Sequence, residues 1–203
     1  MKKSDFDPKH QNQTTESKIV ASLEKISQAF RVLLWQESRE YSLSPIQVQV
    51  LIFLLHHSEE KRKVSYLAGE FNMTKATISD TVKALDQKGL IEKAYEPNDT
   101  RSYVIHLTER GREMAEKTSH FTRELHTPID KLHAEDKENL LLSLLNIIRH
   151  LNRAGVITVP RMCMTCAYYH SSENGQKHFC KLLNQHLQVT DLRIDCPEHK
   201  LKV

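Results

Sequence analysis

Residues 63–111 read KVSYLAGEFNMTKATISDTVKALDQKGLIEKAYEPNDTRSYVIHLTERG, and their pattern decides the fold. A short helix carrying Leu67, Ala68 and Phe71 breaks at Asn72, one of the few non-glycine residues that tolerate a left-handed backbone. A second helix starts near Thr74, presents Ile78, Val82 and Leu85 along one face, and stops at Gly89, which suits a left-handed C-terminal cap. Two short helices across a tight turn make a helix-turn-helix, expected over residues 64–88. LIEKAYE and RSYVIHLT follow as strand-like runs, the second alternating Tyr103, Ile105 and Leu107 against Val104 and His106, with PNDT supplying the turn. A hairpin over residues 90–107, directly after a helix-turn-helix, is a wing.

Upstream, LSPIQVQVLIFLLHH opens with Ser44 as an N-cap, Pro45 at the first helical position and Gln47 completing a capping box. Its apolar content predicts a buried helix. Before it, Ile19, Leu23, Ile26, Phe30 and Leu33 recur at steps of four and three, the seam of one long helix. Residues 1–17 are polar and show no period, which predicts a flexible arm. Downstream of Thr108, Met114, Thr118, Phe121, Leu125, Ile129 and Leu132 mark one helical face, with a kink or break expected at Pro128. A further helix from about Ala134 to Arg153 carries Leu141, Leu144, Leu145, Ile148 and Leu151 along its stripe. The first and last helices hold more apolar surface than one small winged domain covers, which predicts a homodimer in which they pack against a second copy. The expected fold is therefore mainly α with a small β wing. Residues 18–155 form a winged helix-turn-helix flanked by long dimerisation helices, and a small Cys-rich module occupies 156–203.

Composition narrows the function. The 203-residue chain carries a formal charge of +3 and a pI near 8.6, which permits nucleic-acid binding without announcing it. Its N-terminus has no apolar stretch of the kind that follows the charge in a signal peptide, and no window reaches 18 consecutive apolar residues, so the expectation is a cytoplasmic protein with no membrane partner. An enzyme is not expected. There are only five glycines and no glycine-rich phosphate loop.

All four cysteines, Cys163, Cys166, Cys180 and Cys196, fall in the last fifth of the chain. In a reducing compartment such a cluster points to metal ligands or redox thiols rather than structural disulfides. Cys163 and Cys166 form a Cys-x-x-Cys knuckle whose sulfurs can converge on one ion. With Cys180 and Cys196 they make the four thiolates that saturate a tetrahedral Zn2+ or a 4Fe-4S cluster, leaving no open position for catalysis. A single knuckle departs from the usual two of a zinc ribbon, and Pro197 after Cys196 matches the end of many iron–sulfur motifs. Structural Zn2+ is nevertheless the commoner use of four thiols, and it is placed slightly ahead of the cluster. Metal-free redox chemistry, through a reversible Cys163–Cys166 disulfide, is the third reading. His170, His178 and His199 lie nearby and are read as surface or hydrogen-bonding histidines.

The order of elements, together with LAGEFNMTKATISDTVKALDQKGLI and NDTRSYVIHLTERG, resembles the MarR family of bacterial transcriptional regulators over roughly residues 18–155. The resemblance includes an Asp-x-Arg in the wing at Asp99 and Arg101, and a Leu-Thr-x-x-Gly that begins the next helix. It implies a homodimer with intertwined terminal helices on a double-stranded DNA operator, each recognition helix in a major groove and each wing at a minor groove. It puts Thr74, Lys75, Ala76, Thr77, Ser79, Asp80 and Lys83 on the DNA-facing side. Lys75 and Lys83 suit phosphates, Arg101 suits a narrow minor groove, and Asp99 could hold the guanidinium in position. Asn72 stands where many relatives carry glycine, and Asp80 puts a negative charge among the contacts. The resemblance ends before the cysteine tail. Neither the operator nor any small-molecule effector is named by these residues. The competing reading is a protein-interaction or redox module that uses the winged fold without specific DNA binding.

Overall fold

The computed structural model describes residues 4–96, 99–172 and 177–202, and for Glu96 and residues 99–101 the backbone alone. The chain opens with a single helical turn, α1 (Pro8–Gln11), and then α2 (Thr15–Glu40), whose Thr14 N-cap accepts from the Ser17 amide at 3.1 Å. The polar arm is thus shorter than its composition suggests: a good cap and the buried Ser17 start α2 three residues before the first residue of the apolar seam's segment, Lys18. The expected capping box opens α3 (Pro45–His56), with Gln47 N on Ser44 Oγ at 3.3 Å and Ser44 N on Gln47 Oε1 at 3.0 Å. This helix is buried nearly all round, as its composition requires.

The helix-turn-helix is α4 (Val64–Glu70) and α5 (Lys75–Gln87). Asn72 takes the left-handed conformation at φ +50°, and Gly89 ends α5 at φ +67°. The wing is an antiparallel pair, β1 (Ile91–Glu96) with β2 (Asp99–Leu107), in the register Ile91 opposite Leu107 through Tyr95 opposite Tyr103. Pro97 and Asn98 of the expected turn lie outside the described residues. One core joins α3, α4, α5, the wing and α6 (Glu109–Thr118): Leu51, Leu54, Leu67, Ile78, Leu85 and Ile105 are wholly buried. Removing these side chains from water supplies most of the drive to fold this unit.

The helical run after the wing is interrupted earlier than Pro128. It stops at Thr118 and resumes as α7 (Arg123–Asp130), with Pro128 inside the second piece. The cause is local competition for carbonyls: Thr118 Oγ1 donates back to Met114 O (2.8 Å) and Ser119 Oγ to Glu116 O (2.7 Å). α8 (Ala134–Arg153) follows.

The tail is an ordered module with its own small core. β3 (Tyr169–Ser171), β4 (His178–Cys180) and β5 (Gln185–Leu187) form a three-stranded antiparallel sheet in that order. Met162, Met164, Tyr169, Leu187 and Leu192 are buried against Leu145 of α8, with Leu141, Leu142 and Ile148 alongside. Part of the α8 stripe is therefore covered by the chain's own tail and not by a second copy. The seam of α2 has no such cover, and Ile19, Ile26 and Phe30 stand exposed.

Candidate nucleic-acid interface and four-cysteine site

α5 is amphipathic in a way that sorts its residues cleanly. Ile78, Thr81, Val82 and Leu85 are buried against the core, and Thr74, Lys75, Ala76, Thr77, Ser79, Asp80 and Lys83 are all exposed. Thr74 has a second duty. Its hydroxyl accepts from the Thr77 amide at 3.1 Å as the N-cap and lies 2.8 Å from the Thr77 hydroxyl, so it fixes where the helix begins. A groove beside this face is lined by Lys63, Ser65, Lys75, Ser79, Ser102 and Tyr103, bringing α4's N-terminal end, α5 and the wing to one surface. Lys63, Ser65 and Ser102 were not singled out by sequence reasoning; only adjacency in the folded unit gathers them. The wing is tied to α5 through Lys93 Nζ and Asp86 Oδ2 at 2.7 Å. Lys88 faces away and donates to Ser42 O at 2.6 Å. The backbone of Asp99 and Arg101 belongs to β2, while their side chains, and so their expected minor-groove roles, lie outside the described residues.

The four cysteines come from four places in the tail and line one small pocket, walled also by Tyr168, Tyr169, Leu182 and Leu187. Cys163 opens a 3-10 turn that Cys166 closes with its amide on Cys163 O at 2.9 Å. Cys180 ends β4 between Tyr169 and Gln185. Cys196 is held by its amide on Arg161 O at 2.9 Å. All four are free thiols. Burial pushes the Cys163 thiol up, against a hydrogen bond from the Arg193 amide to its sulfur at 3.3 Å, and the neighbouring Cys196, Cys180 and Cys166 raise it further. Thiolates crowded together repel, and binding to a cation compensates that repulsion. Soft sulfur donors, an amide aimed at a sulfur and the Arg193 guanidinium 3.9 Å from the Cys196 sulfur suit a thiolate-bound metal or cluster. Among the described residues, no three His, Cys, Asp or Glu side chains converge to the spacing of ligands on one ion, while the four cysteines share one pocket. Of the nearby histidines, His178 is buried, with Nδ1 2.6 Å from the Tyr169 hydroxyl and burial lowering its pKa.

Sequence reasoning also missed Arg161, whose side chain is only 9% exposed. It reaches Glu70 on α4 (Nη2 to Oε1, 3.1 Å), the Tyr66 hydroxyl (3.2 Å) and Asp195 (Nε to Oδ1, 2.8 Å; Nη2 to Oδ2, 2.6 Å). His57 Nε2, 2.9 Å from Asp195, completes the cluster. Burial works against the Asp195 carboxylate, but hydrogen bonds from Arg161 and His57 outweigh it and hold its pKa at about 2. No sequence signal marks this cluster, because its members lie 34 to 104 residues from Arg161 along the chain.

Known proteins agree with the fold. A family model described as a winged helix DNA-binding domain matches residues 43–111. HTH-type transcriptional regulator BilQ of Clostridioides difficile is 26% identical over 106 residues, 51% of this chain and 72% of that protein. The uncharacterized HTH-type transcriptional regulator YdgJ of Bacillus subtilis is 27% identical over 106 residues, covering 50% of this chain and, at 62%, somewhat under two thirds of that protein. The crystal structure of an S. aureus MepR–DNA complex aligns with a TM-score of 0.57 at 24% identity, over 65% of this chain and 97% of that one. None of the described helices is long and apolar enough to cross a membrane. Residues 43–111 thus match a winged helix DNA-binding domain and have the winged-helix fold, and the chain is similar to transcriptional regulators that carry it.

Proposed function

We propose that the protein is a MarR-like transcriptional regulator that binds a double-stranded operator as a homodimer and holds a metal or cluster in its four-cysteine module. The observation that carries the DNA reading is the sorting of α5: an exposed hydroxyl- and lysine-bearing face, backed by a fully buried apolar row and flanked by a wing. That is the surface a major groove accepts, with phosphate contacts fixing register and base edges giving specificity. Lys75 and Lys83 contribute sequence-independent attraction; Thr77, Ser79 and Asp80 face the bases; Arg101, supported by Asp99, enters the minor groove. The uncovered seam of α2 is the dimer surface.

The test is binding to a duplex selected from a random pool, followed by fluorescence anisotropy across salt concentrations. Lys75→Ala and Lys83→Ala are each expected to weaken binding and to flatten the plot of log K against log salt by about one. Arg101→Ala should weaken it and relax any preference for a narrow minor groove. Binding indifferent to salt and to all three changes would leave the protein-interaction reading in its place.

The cysteine module binds Zn2+ or a 4Fe-4S cluster through Cys163, Cys166, Cys180 and Cys196. Four cysteines lining one pocket match the ligand count of either group. Anaerobic purification with elemental analysis and a visible spectrum decides: a brown protein with matching iron and sulfide, or a colourless one with stoichiometric zinc. Either metal should be lost in Cys180→Ser. A metal-free protein that forms a Cys163–Cys166 disulfide would support redox thiols instead.

A further inference from the structure

The tail module and the helix-turn-helix unit meet at a cluster centred on Arg161. Arg161 stands at the start of the module, and its carbonyl accepts from the Cys196 amide at 2.9 Å. Its guanidinium grips Asp195, the residue before Cys196, and on its other side Glu70 and Tyr66 of α4. It lies over the Phe53 ring of α3 at 5.6 Å. The linker before it adds one more tie to the same helix, Thr158 Oγ1 to Gly69 O at 2.7 Å. α4 in turn packs against α5, the recognition helix.

We infer that Arg161 is a positioning residue through which the state of the four-cysteine site sets the orientation of the helix-turn-helix. This rests on reading the four cysteines as a metal or cluster site. Residues 192–201 have no helix or strand of their own beyond isolated bridges at Asp195 and Leu201. Its end nearest Arg161 is held by the pairing of Arg193 with Cys163, the hold on Cys196 and the Asp195–Arg161 contact, and its far end by the Ala167 amide on Lys200 O at 2.7 Å and by His199 on the Thr165 hydroxyl at 3.0 Å. With the thiolates gathered, Cys196 is pinned and Asp195 is presented to Arg161. With the thiolates released, the segment carrying Asp195 loosens, its grip on Arg161 weakens, and Arg161 is left to Glu70, Tyr66, His57 and the Phe53 ring. α4 then samples more orientations, and the fraction of dimers with correctly spaced recognition helices falls. Gathered thiolates therefore favour operator binding, and their release weakens it.

The experiment is hydrogen–deuterium exchange on the full-length protein, as purified with its measured metal and after stripping by chelation, with duplex affinity measured in parallel. In the unmodified protein, stripping should speed exchange of residues 64–70 and weaken duplex binding, each about tenfold. Arg161→Met and Glu70→Gln should retain full metal yet exchange fast at 64–70 from the outset, with no further change on stripping. Should Arg161→Met fail to fold, as judged by circular dichroism, Glu70→Gln carries the test alone. A metal-loaded protein in which stripping loosens residues 162–201 but leaves 64–70 unchanged overturns the coupling and spares the metal site. Stripping that still loosens 64–70 in Glu70→Gln also overturns it. A protein that never holds metal overturns the metal reading, and this inference with it.

Discussion

Ile26→Glu combined with Phe30→Glu is expected to give a folded monomer that binds DNA more than about 100-fold more weakly than the unmodified protein. Both side chains lie one helical turn apart on α2 and stand exposed, 45% and 39%, so neither contributes to the core of its own protomer. A dimer would bury what remains exposed of them, each contributing about 1 kcal/mol. A carboxylate at the same place must be desolvated or must keep the partner away. The affinity loss follows from bivalency, because one recognition helix binding alone forfeits the effective concentration that the second gains from the first. Light scattering after size-exclusion chromatography reports the mass, and thermal unfolding checks the fold. A double variant that remains dimeric would move the dimer surface elsewhere. A monomer with undiminished affinity would remove the need for a dimer.

The winged-helix half of the molecule was legible in the sequence because its determinants are local. Ser44 and Gln47 cap α3 within three residues of each other, Asn72 breaks the turn and Gly89 ends α5, and the period of Ile78, Val82 and Leu85 separates the buried row of α5 from the exposed one. The break after Thr118 was misplaced because a proline is a louder signal than two hydroxyls that back-bond to their own helix. The cysteines announced a site by number and spacing. Nothing in the spacing told that α8 would lend Leu145 to the same module, or that Arg161 would bolt it to α4. Those contacts join residues far apart in the chain, and a lone arginine before a cysteine knuckle looks like any surface charge.

Gly111→Ala is expected to destabilise the winged domain by about 3 kcal/mol or more. On helix propensity alone the sign would be opposite, since alanine is favoured over glycine by about 1 kcal/mol inside a helix. Packing decides against propensity. Thr108, the N-cap of α6, accepts from the Gly111 amide at 3.0 Å and donates to Gly89 O at 2.8 Å, while its own amide donates to Leu90 O at 3.2 Å. This clasp draws the first turn of α6 onto the backbone joining α5 to β1. A Cβ at residue 111 would come within 1.8 Å of the Leu90 carbonyl oxygen and 2.8 Å of its carbon. Both are backbone atoms of a buried residue, so no side chain can swing aside. Relief requires α6 to shift away from α3, or the junction between α5 and the wing to move, which would displace the exposed face of α5 relative to the wing. Gly89→Ala provides the contrast. That glycine has φ +67° and nothing within 4 Å of an added Cβ, so its replacement costs only the left-handed backbone penalty, about 1–2 kcal/mol. Urea unfolding of both variants ranks the two effects. Gly111→Ala as stable as the unmodified protein would mean that α6 does not rest on Leu90 and that the Leu-Thr-x-x-Gly signature has some other cause.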